Sequence, residues 1–303
     1  MEQQKHSGMQ NKTIRKVLKA KIDDWTSTID DANLVRVIKR DVIVTGGSIA
    51  SMIMGDKIND FDVYFKTKET TLKVAHYYVN KFNQNKLDGP SPEVREVKKT
   101  NIKGKEEDRV VIWVSSAGVA ESEDFKTEED HDGTENDPDQ VVEDDDGERY
   151  RPVFLSENAV TLSHKMQIVI RFYGTPDEIH DNYDFVHAKC YWTYHEDKLV
   201  TPVEALRSMQ SKVLKYEGSL YPICSVFRCR KFISRGWKIS AGEMLKMCLQ
   251  ISEIDLKNPT VLREQTTGID AAYFHMLLSA IDSGREVDSA YLITIIDRIF
   301  SQE

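Results

Sequence analysis

The chain has 303 residues, 40% of them apolar and 30% charged, and this composition excludes both a wholly disordered and a membrane-embedded protein. At about 150 residues per domain, the length suggests two domains. The four cysteines include no CxxC pair, which argues against a disulfide scaffold or a zinc ribbon. Because no apolar run is long enough for a signal core or a spanning helix, we expect a cytoplasmic protein without a membrane partner.

The charge is distributed unevenly. Between Glu121 and Glu148 there are fifteen acidic residues and one lysine, a net charge of -14. The rest of the chain has 35 acidic and 40 basic residues and therefore a net charge of +5. The acidic segment has too few apolar residues to offset its ordering entropy, so we predict a disordered insertion at 121–148. A basic body is typical of proteins that bind phosphates or nucleic acid.

The segments around this insertion alternate between the two hydrophobic periods. Helical spacing predicts one or two helices in 12–39, and further helices in 48–55, in 70–82 and near Thr175. Short β-rich runs predict strands, which are 41–45, 60–65, 109–114, 152–155, 159–162, 167–172 and 184–192. The first part of the chain therefore reads as an α+β domain, which we place at 1–198.

From Thr201 onward the pattern is helical. Capping signals mark helix starts at Thr201 and at Ser240, and apolar spacing predicts later helices in 271–281 and 291–300. We therefore predict a helical C-terminal domain at 199–303.

The most informative residues are two aspartates in the run Asp60-Phe61-Asp62. Residues two apart on a strand share a face, so both carboxylates project to the same side while Phe61 points to the other. Two like charges this close are most stable when they share a divalent cation. Oxygen ligands favour Mg²⁺, with Mn²⁺ as the alternative.

A glycine turn precedes these aspartates. Gly46-Gly47-Ser48 ends one strand and starts a helix. Glycines allow the backbone to approach a ligand closely, and the free N–H groups of a helix start bind anions. A phosphate beside Mg²⁺ indicates nucleotide chemistry, with Ser48 as a phosphate contact or a plain helix cap, two roles that can coexist.

The run from Val44 to Val63 resembles the signature of the DNA polymerase β-like nucleotidyltransferase superfamily: a hydrophobic strand, two small residues, a spacer near ten residues, and Asp-hydrophobic-Asp. The segments 168–192 and 220–238 are similar to a group of such proteins encoded by tailed bacteriophages. The resemblance implies a mixed-sheet catalytic domain with a third carboxylate on a later strand. Asp184 is the best match for it, and Asp108 competes.

The resemblance also implies the reaction. A two-metal enzyme of this kind would move a nucleoside monophosphate from a nucleoside triphosphate (NTP), such as ATP, to an acceptor hydroxyl and release pyrophosphate, with Asp60, Asp62 and Asp184 as metal ligands and catalytic residues. Asp184 would also be the candidate base. The acceptor stays open among tRNA, other RNA, a small hydroxylated molecule and a protein side chain.

Basic residues of the C-terminal part are candidates for further contacts. Lys212 and Lys215 lie three apart on the helix predicted from Thr201, so they could reach a triphosphate or form a solvated helix face. A second basic group alternates with aromatic residues and could contact RNA or DNA, although such aromatics also suit a core. Its members are Arg228, Arg230, Lys231, Arg235 and Lys238. The alternative to an enzyme is an inactive binding protein of the same fold that acts on nucleic acid or on a host or phage partner.

Overall fold

The computed structural model describes residues 8–85, 91–101, 104–113, 119–120, 148–258 and, after these, isolated positions up to residue 297. The described residues form two compact units, the first ending at Ser211 and the second starting at Lys212. The predicted acidic insertion lies outside the described residues except for Glu148, and so does the predicted helix 271–281.

The first unit begins with helices that alternate with strands. The helices are α1 (Asn11–Thr26), α2 (Ala32–Asp41), α3 (Gly47–Met54) and α4 (Lys68–Asn85). The strands are β1 (Val42–Thr45), β2 (Phe61–Phe65), β3 (Glu93–Thr100), β4 (Glu106–Trp113) and β5 (Val119–Ala120). The predicted α+β class is confirmed. Strands β3 and β4 form a long hairpin, of which the apolar pattern predicts only β4.

The remaining elements of this unit complete its sheet. They are β6 (Pro152–Leu155), β7 (Ala159–Leu162), β8 (Met166–Tyr173), α5 (Pro176–His180), β9 (Tyr191–Thr193), β10 (Lys198–Val200) and α6 (Val203–Ser211). An eight-stranded mixed sheet has the order β10-β9-β1-β2-β8-β7-β6-β5. Strand β1 is antiparallel to β2, whereas β2 is parallel to β8. The two strands of the Gly-Gly and Asp-Phe-Asp segments are thus neighbours near the middle of the sheet.

One face of this sheet, here called the back face, is apolar. Val44, Val63, Ile168 and Trp192 lie side by side in the register of β9, β1, β2 and β8 and are almost completely buried. Helix α4 packs against β2, β6 and β8. Burial of a side chain of this size contributes about 1.5–3 kcal/mol, so these positions anchor the strands that carry the site.

The opposite face, here called the front face, starts with an apolar cluster and ends in polar groups. Ile43 and Tyr64 pack against Ile179 of α5. Two residues further along the same strands, on the same face, Thr45 lies opposite Asp62. The polar end of the front face therefore coincides with the end of β1 and the start of β2.

The segment predicted as a strand at 184–192 is different in the structure. Only Tyr191–Thr193 is a strand, and Val186–Ala188 forms a 3-10 helix. The backbone of this segment forms other hydrogen bonds instead. Ala188 N–H donates locally to Phe185 O at 3.2 Å, and Ala188 O accepts from Gly46 N–H, just after β1, at 3.2 Å. The capping box predicted at Thr175 is present, with Thr175 and Glu178 bonded to each other's backbone N–H.

The second unit is mainly helical in its described part. It contains β11 (Val213–Leu214), α7 (Pro222–Ser234), β12 (Lys238–Ile239) and α8 (Ala241–Ser252). Strands β11 and β12 form a parallel pair, and Ser240 caps α8 by accepting from Glu243 N–H. None of the helices in the described residues is long and apolar enough to cross a membrane.

Candidate active site

The glycine turn joins β1 to α3. Gly46 precedes the helix with φ +94°, a conformation that L side chains rarely adopt. Gly47 is the first residue of α3, and a Cβ added to it would meet no heavy atom within 4 Å. Gly46 is thus required by the backbone, while the room above Gly47 leaves a phosphate space to approach the helix start.

Ser48 follows in the first turn of α3. It is buried, and its hydroxyl oxygen has no hydrogen-bond partner in the described part of the chain. A buried hydroxyl without a partner costs free energy, and a ligand at the helix start would satisfy it. The arrangement fits the phosphate contact expected of Ser48 and does not use its hydroxyl as a helix cap.

The two aspartates lie at the start of β2. Asp60 immediately precedes the strand, and Asp62 is its second residue, half-buried between the buried Phe61 and Val63. This alternation confirms that the apolar neighbours point to the back face. The carboxylate of Asp62 therefore lies on the front face, on the side that Asp60 shares by strand periodicity.

The glycine turn and Asp62 are in direct contact. A Cβ on Gly46 would lie 2.6 Å from Asp62 Oδ2 and 3.6 Å from the hydroxyl oxygen of Tyr183. Only a residue without a side chain leaves room for this carboxylate. The structure thus brings together Gly46, Gly47, Ser48 and Asp62, which the sequence places in two separate segments.

Tyr183 and His180 border the same place. The Tyr183 hydroxyl donates to Tyr64 Oη at 3.1 Å, and His180 Nε2 lies 2.8 Å from Thr45 Oγ1. Burial, with Lys189 nearby, lowers the pKa of His180 to about 4. Desolvation, together with the neighbouring Tyr64 and Asp62, raises the pKa of Tyr183 well above its usual value. Both groups are therefore neutral at pH 7.

Asp184 lies in a bend before the 3-10 helix, not on a strand. It is buried, and its Oδ1 accepts from the N–H of Phe185 at 3.0 Å. Burial lowers the pKa of the nearby His187 to about 4, against the opposing effect of the Asp184 charge. The buried carboxylate thus lies next to a neutral imidazole and a backbone donor.

The three predicted carboxylates are not assembled into one group. Within the described ranges, no three His, Cys, Asp or Glu side chains form a cluster that could hold a metal ion. The position on β8 that pairs with Asp62 is Gln167. Asp108, the competitor for the third carboxylate, lies 3.6 Å from Lys68 in an ion pair. The role of Asp184 as a metal ligand therefore stays a prediction.

The residues present nevertheless fit a metal-bound nucleotide. Mg²⁺ is commonly held by one or two carboxylates together with phosphate oxygens and water. Asp60 and Asp62 supply the carboxylates, and the unpartnered Ser48 hydroxyl with the open helix start at Gly47 supplies phosphate donors. This donor set needs no third acidic side chain to bind the nucleotide complex.

The helix face predicted for Lys212 and Lys215 is wrong. Helix α6 ends at Ser211, Lys212 has φ +49°, and β11 follows at Val213. A left-handed residue terminates the helix, so the two lysines do not share its surface. Their contact with a nucleotide stays a prediction.

The predicted basic group lies on α7 and just after it. All five of its members, Arg228, Arg230, Lys231, Arg235 and Lys238, are exposed. Phe227 is exposed as well, whereas Trp237 is buried with its ring 5.7 Å from that of Phe232. One of the three aromatic residues is therefore on the surface, and Trp237 belongs to the core.

Comparison with known families identifies the chain. The model of the Gabija anti-defense 2 family matches residues 16–212, about two thirds of the chain. The chain therefore belongs to this family, and the match spans the glycine turn, Asp60, Asp62 and Asp184. No curated protein matches the chain.

Solved structures of CCA-adding enzymes are similar over much of the chain. For the Thermotoga maritima CCA-adding enzyme complexed with tRNA, the identity is 12% and the TM-score 0.38, with 92% of this chain and 53% of that one covered. For the Bacillus stearothermophilus CCA-adding enzyme in complex with CTP, the identity is 10% and the TM-score 0.35, with 82% of this chain and 50% of that one covered. The chain thus spans about half the length of these enzymes.

Several residues of the site could not be found from sequence patterns. Tyr183, His180, Thr45 and Gln167 reach the front face through strand pairing and through the return of the chain after α5. The only local signal was the capping box at Thr175, which marks α5 but not where its residues pack.

Proposed function

We propose that the chain binds an NTP with Mg²⁺ or Mn²⁺ on the front face and transfers its nucleoside monophosphate to an acceptor hydroxyl. The single observation that carries this proposal is the contact of Asp62 with the Gly46 turn, beside the buried unpartnered hydroxyl of Ser48. The helix start with Ser48, which suits an anion, lies next to Asp62, which suits a cation. This is the arrangement that a metal-bound triphosphate requires.

Each residue has a defined part in the reaction. The helix start and Ser48 bind the phosphates, and Asp60 and Asp62 would hold the divalent ion of the nucleotide. The divalent ion supplies charge neutralisation of the phosphates and of the departing pyrophosphate. Asp184 remains the candidate to accept the acceptor's proton, and its burial beside a neutral His187 excludes water from that carboxylate.

The first test measures binding and transfer separately. The full chain is heated with Mg²⁺ and each NTP, and we expect one or more to raise the melting temperature, because a ligand of the folded state stabilises it by mass action. Asp60→Asn should lose most of this shift. Equal shifts in both proteins would place the nucleotide elsewhere. Labelled NTPs with total cellular RNA or protein then reveal the acceptor.

A second candidate function is nucleotide binding without turnover. The observation that favours it is Gln167, which cannot act as a charged metal ligand at the position paired with Asp62. Under this function, the nucleotide shift is present and labelled transfer is absent in wild type and in Gln167→Asp. Transfer by the wild type would reject it.

Family membership supports a proposal for the biological role of the chain. The family description names anti-defense against Gabija, which agrees with the expected bacteriophage origin. We propose that nucleotide chemistry on the front face serves this role in the host cytoplasm. If so, Asp62→Asn should abolish protection against Gabija while the protein accumulates normally in the cell.

RNA, including tRNA, is the proposed macromolecular partner of the basic group on α7. Phosphate contacts position a nucleic acid, and the exposed Phe227 offers a stacking surface. Replacing both Arg230 and Arg235 by Gln should weaken RNA binding, with a smaller effect at higher salt. Lys198→Gln, an exposed lysine of β10, is the control. Equal affinities of all three proteins would exclude this partner.

A further inference from the structure

A row of polar side chains crosses the front face of the sheet and extends beyond Asp62. Thr45 of β1 pairs with Asp62 of β2, which pairs with Gln167 of β8. Gln167 in turn pairs with Thr161 of β7. These four residues are here called the polar row. The proposed function gives no binding role to its last two members, which follow Asp62 at successive strand spacings of about 4.8 Å.

Gln167 and Thr161 project from the front face. The next residues of their strands, Ile168 and Val160, pair with each other and are fully buried on the back face. Because side chains alternate along a strand, Gln167 and Thr161 lie on the opposite side. Both are only partly buried there, and neither side chain forms a hydrogen bond within the described part of the chain. An amide and a hydroxyl are therefore presented side by side with their hydrogen-bonding groups available to a ligand.

The chemistry along the polar row follows the order of the groups in an NTP. The start of α3, directly after β1, suits the phosphates, and Asp62 on β2 suits a divalent ion bound to them. The next group of the nucleotide, after its α-phosphate, is the ribose. Strands β8 and β7 come next after β2, on the side away from β1. Ribose hydroxyls donate and accept hydrogen bonds, as do a glutamine amide and a threonine hydroxyl.

We propose that Gln167 and Thr161 bind the ribose hydroxyls of the NTP and thereby select ribonucleotides against analogues that lack these groups. The inference rests on the proposed function and adds a sugar-binding subsite to it. A site that hydrogen-bonds a substrate hydroxyl disfavours the analogue without it, because its own polar groups then lose their partner. The selection is moderate here, since both side chains are partly exposed and water can replace that partner.

The test uses three probes with Mg²⁺: an equimolar mixture of the four NTPs, the same mixture of their 2′,3′-dideoxy analogues, and inorganic tripolyphosphate. Tripolyphosphate contains no sugar and so reports on the phosphate and metal site alone. The rise of the melting temperature with probe concentration gives each apparent dissociation constant. Gln167→Leu and Thr161→Val remove the hydrogen-bonding groups. Thr193→Val is the matched control, because it makes the same change on β9, at the position paired with Ile43 of the front face.

We expect wild type to bind the NTPs roughly 3- to 10-fold more tightly than the dideoxy analogues, the range for one net hydrogen bond. Gln167→Leu should bring this ratio close to one and leave tripolyphosphate binding unchanged. Thr161→Val should lower the ratio about twofold, and Thr193→Val should keep it. If Gln167→Leu does not fold, Thr161→Val decides, and a wild-type ratio in that variant would overturn the inference.

The outcomes separate the two proposals. If none of the probes stabilises wild type, or if all stabilise Asp62→Asn equally, the proposed function fails at this site and the inference with it. If Asp62→Asn loses all three probes while wild type binds NTPs and dideoxy analogues alike, the inference fails and the site stands.

Two results with the variants would also overturn the inference. A loss of the ratio in Thr193→Val as large as in Gln167→Leu would indicate a packing effect. If Gln167→Leu keeps the full ratio but loses labelled transfer, the end of the polar row holds the acceptor and not the ribose.

Discussion

The two faces of the large sheet are built from the same strands but differ in the polarity of their side chains. On the back face, Val44, Val63 and Ile168 are buried apolar side chains in register. On the front face, the neighbouring positions Thr45, Asp62 and Gln167 are polar. Packing of the fold explains the residues of the back face, whereas the front face contains features that packing does not explain.

Two such features stand out at the glycine turn. Gly47 adopts a helical conformation with open space at its Cβ, although alanine would be more stable there. Ser48 buries a hydroxyl without a partner among the described residues. Both cost stability in the free protein, and both are explained by a ligand. Under the proposed function, the comparison therefore teaches that the front face trades folding stability for ligand binding.

Replacement of one front-face carboxylate should have the largest effect. We expect Asp62→Asn to reduce nucleotidyl transfer by more than about 100-fold, because it removes charge that positions the metal-bound triphosphate. The unfolding free energy should change little, since the side chain is half-buried and keeps its shape. Labelled transfer and urea unfolding measure the two quantities.

Asp56→Asn is the control for this variant. It makes the same charge change at an exposed position after α3 and should leave transfer unchanged. Full turnover by a folded Asp62→Asn protein would break the assignment of the front face.

The sequence predicted the strands and the helix of the site better than the residues that other segments bring to it. The strands of β1 and β2, the helix between them and the facing of Asp62 follow from local patterns, because apolar spacing and glycine act over a few residues. The strand predicted around Asp184 was wrong, since Val186–Ala188 forms a 3-10 helix with local bonds such as that from Ala188 N–H to Phe185 O.

Long-range placement explains the other differences. The helix predicted to carry Lys215 ends four residues earlier, at Ser211, and no capping glycine marks that end. Strand β3 was missed because its charged residues hide the strand period. Tyr183 reaches Gly46 only through the packing of α5 on the sheet. Patterns of neighbouring residues contain no information on such contacts.

A back-face substitution should give the opposite result to Asp62→Asn. Ile168→Ala removes a fully buried side chain and should lower the unfolding free energy by about 3 kcal/mol. Val169→Ala, the partly buried front-face neighbour, should cost about 1 kcal/mol. Denaturant unfolding measures both. If nucleotide still raises the melting temperature of Ile168→Ala, the separation of the two faces is sharpened. Similar losses of unfolding free energy in the two variants would weaken it.

Acid should destabilise the fold through His180 and His187. The pKa values of His180 and His187 are about 4 in the folded protein and near 6.5 when unfolded. The unfolded chain therefore binds more protons below pH 6.5, and stability falls between pH 6.5 and 4 by about 2 kcal/mol for each histidine. Unfolding at pH 7 and 4.5 measures this loss. His180→Asn should reduce it, and His76→Asn, at an exposed position, should not.

The smallest expected effect tests the comparison most directly. Gly47→Ala fills open space at a helical position, so it should raise the unfolding free energy by about 0.5–1 kcal/mol. The same methyl group would occupy the approach to the helix start and should reduce the nucleotide-induced rise in melting temperature. Gly46→Ala should instead lower both the unfolding free energy and the nucleotide-induced rise in melting temperature, since φ is +94° and its Cβ would meet Asp62. A Gly47→Ala protein that is more stable and still binds nucleotide like wild type would show that this glycine serves no ligand, and the phosphate site would then have to rest on Ser48 alone.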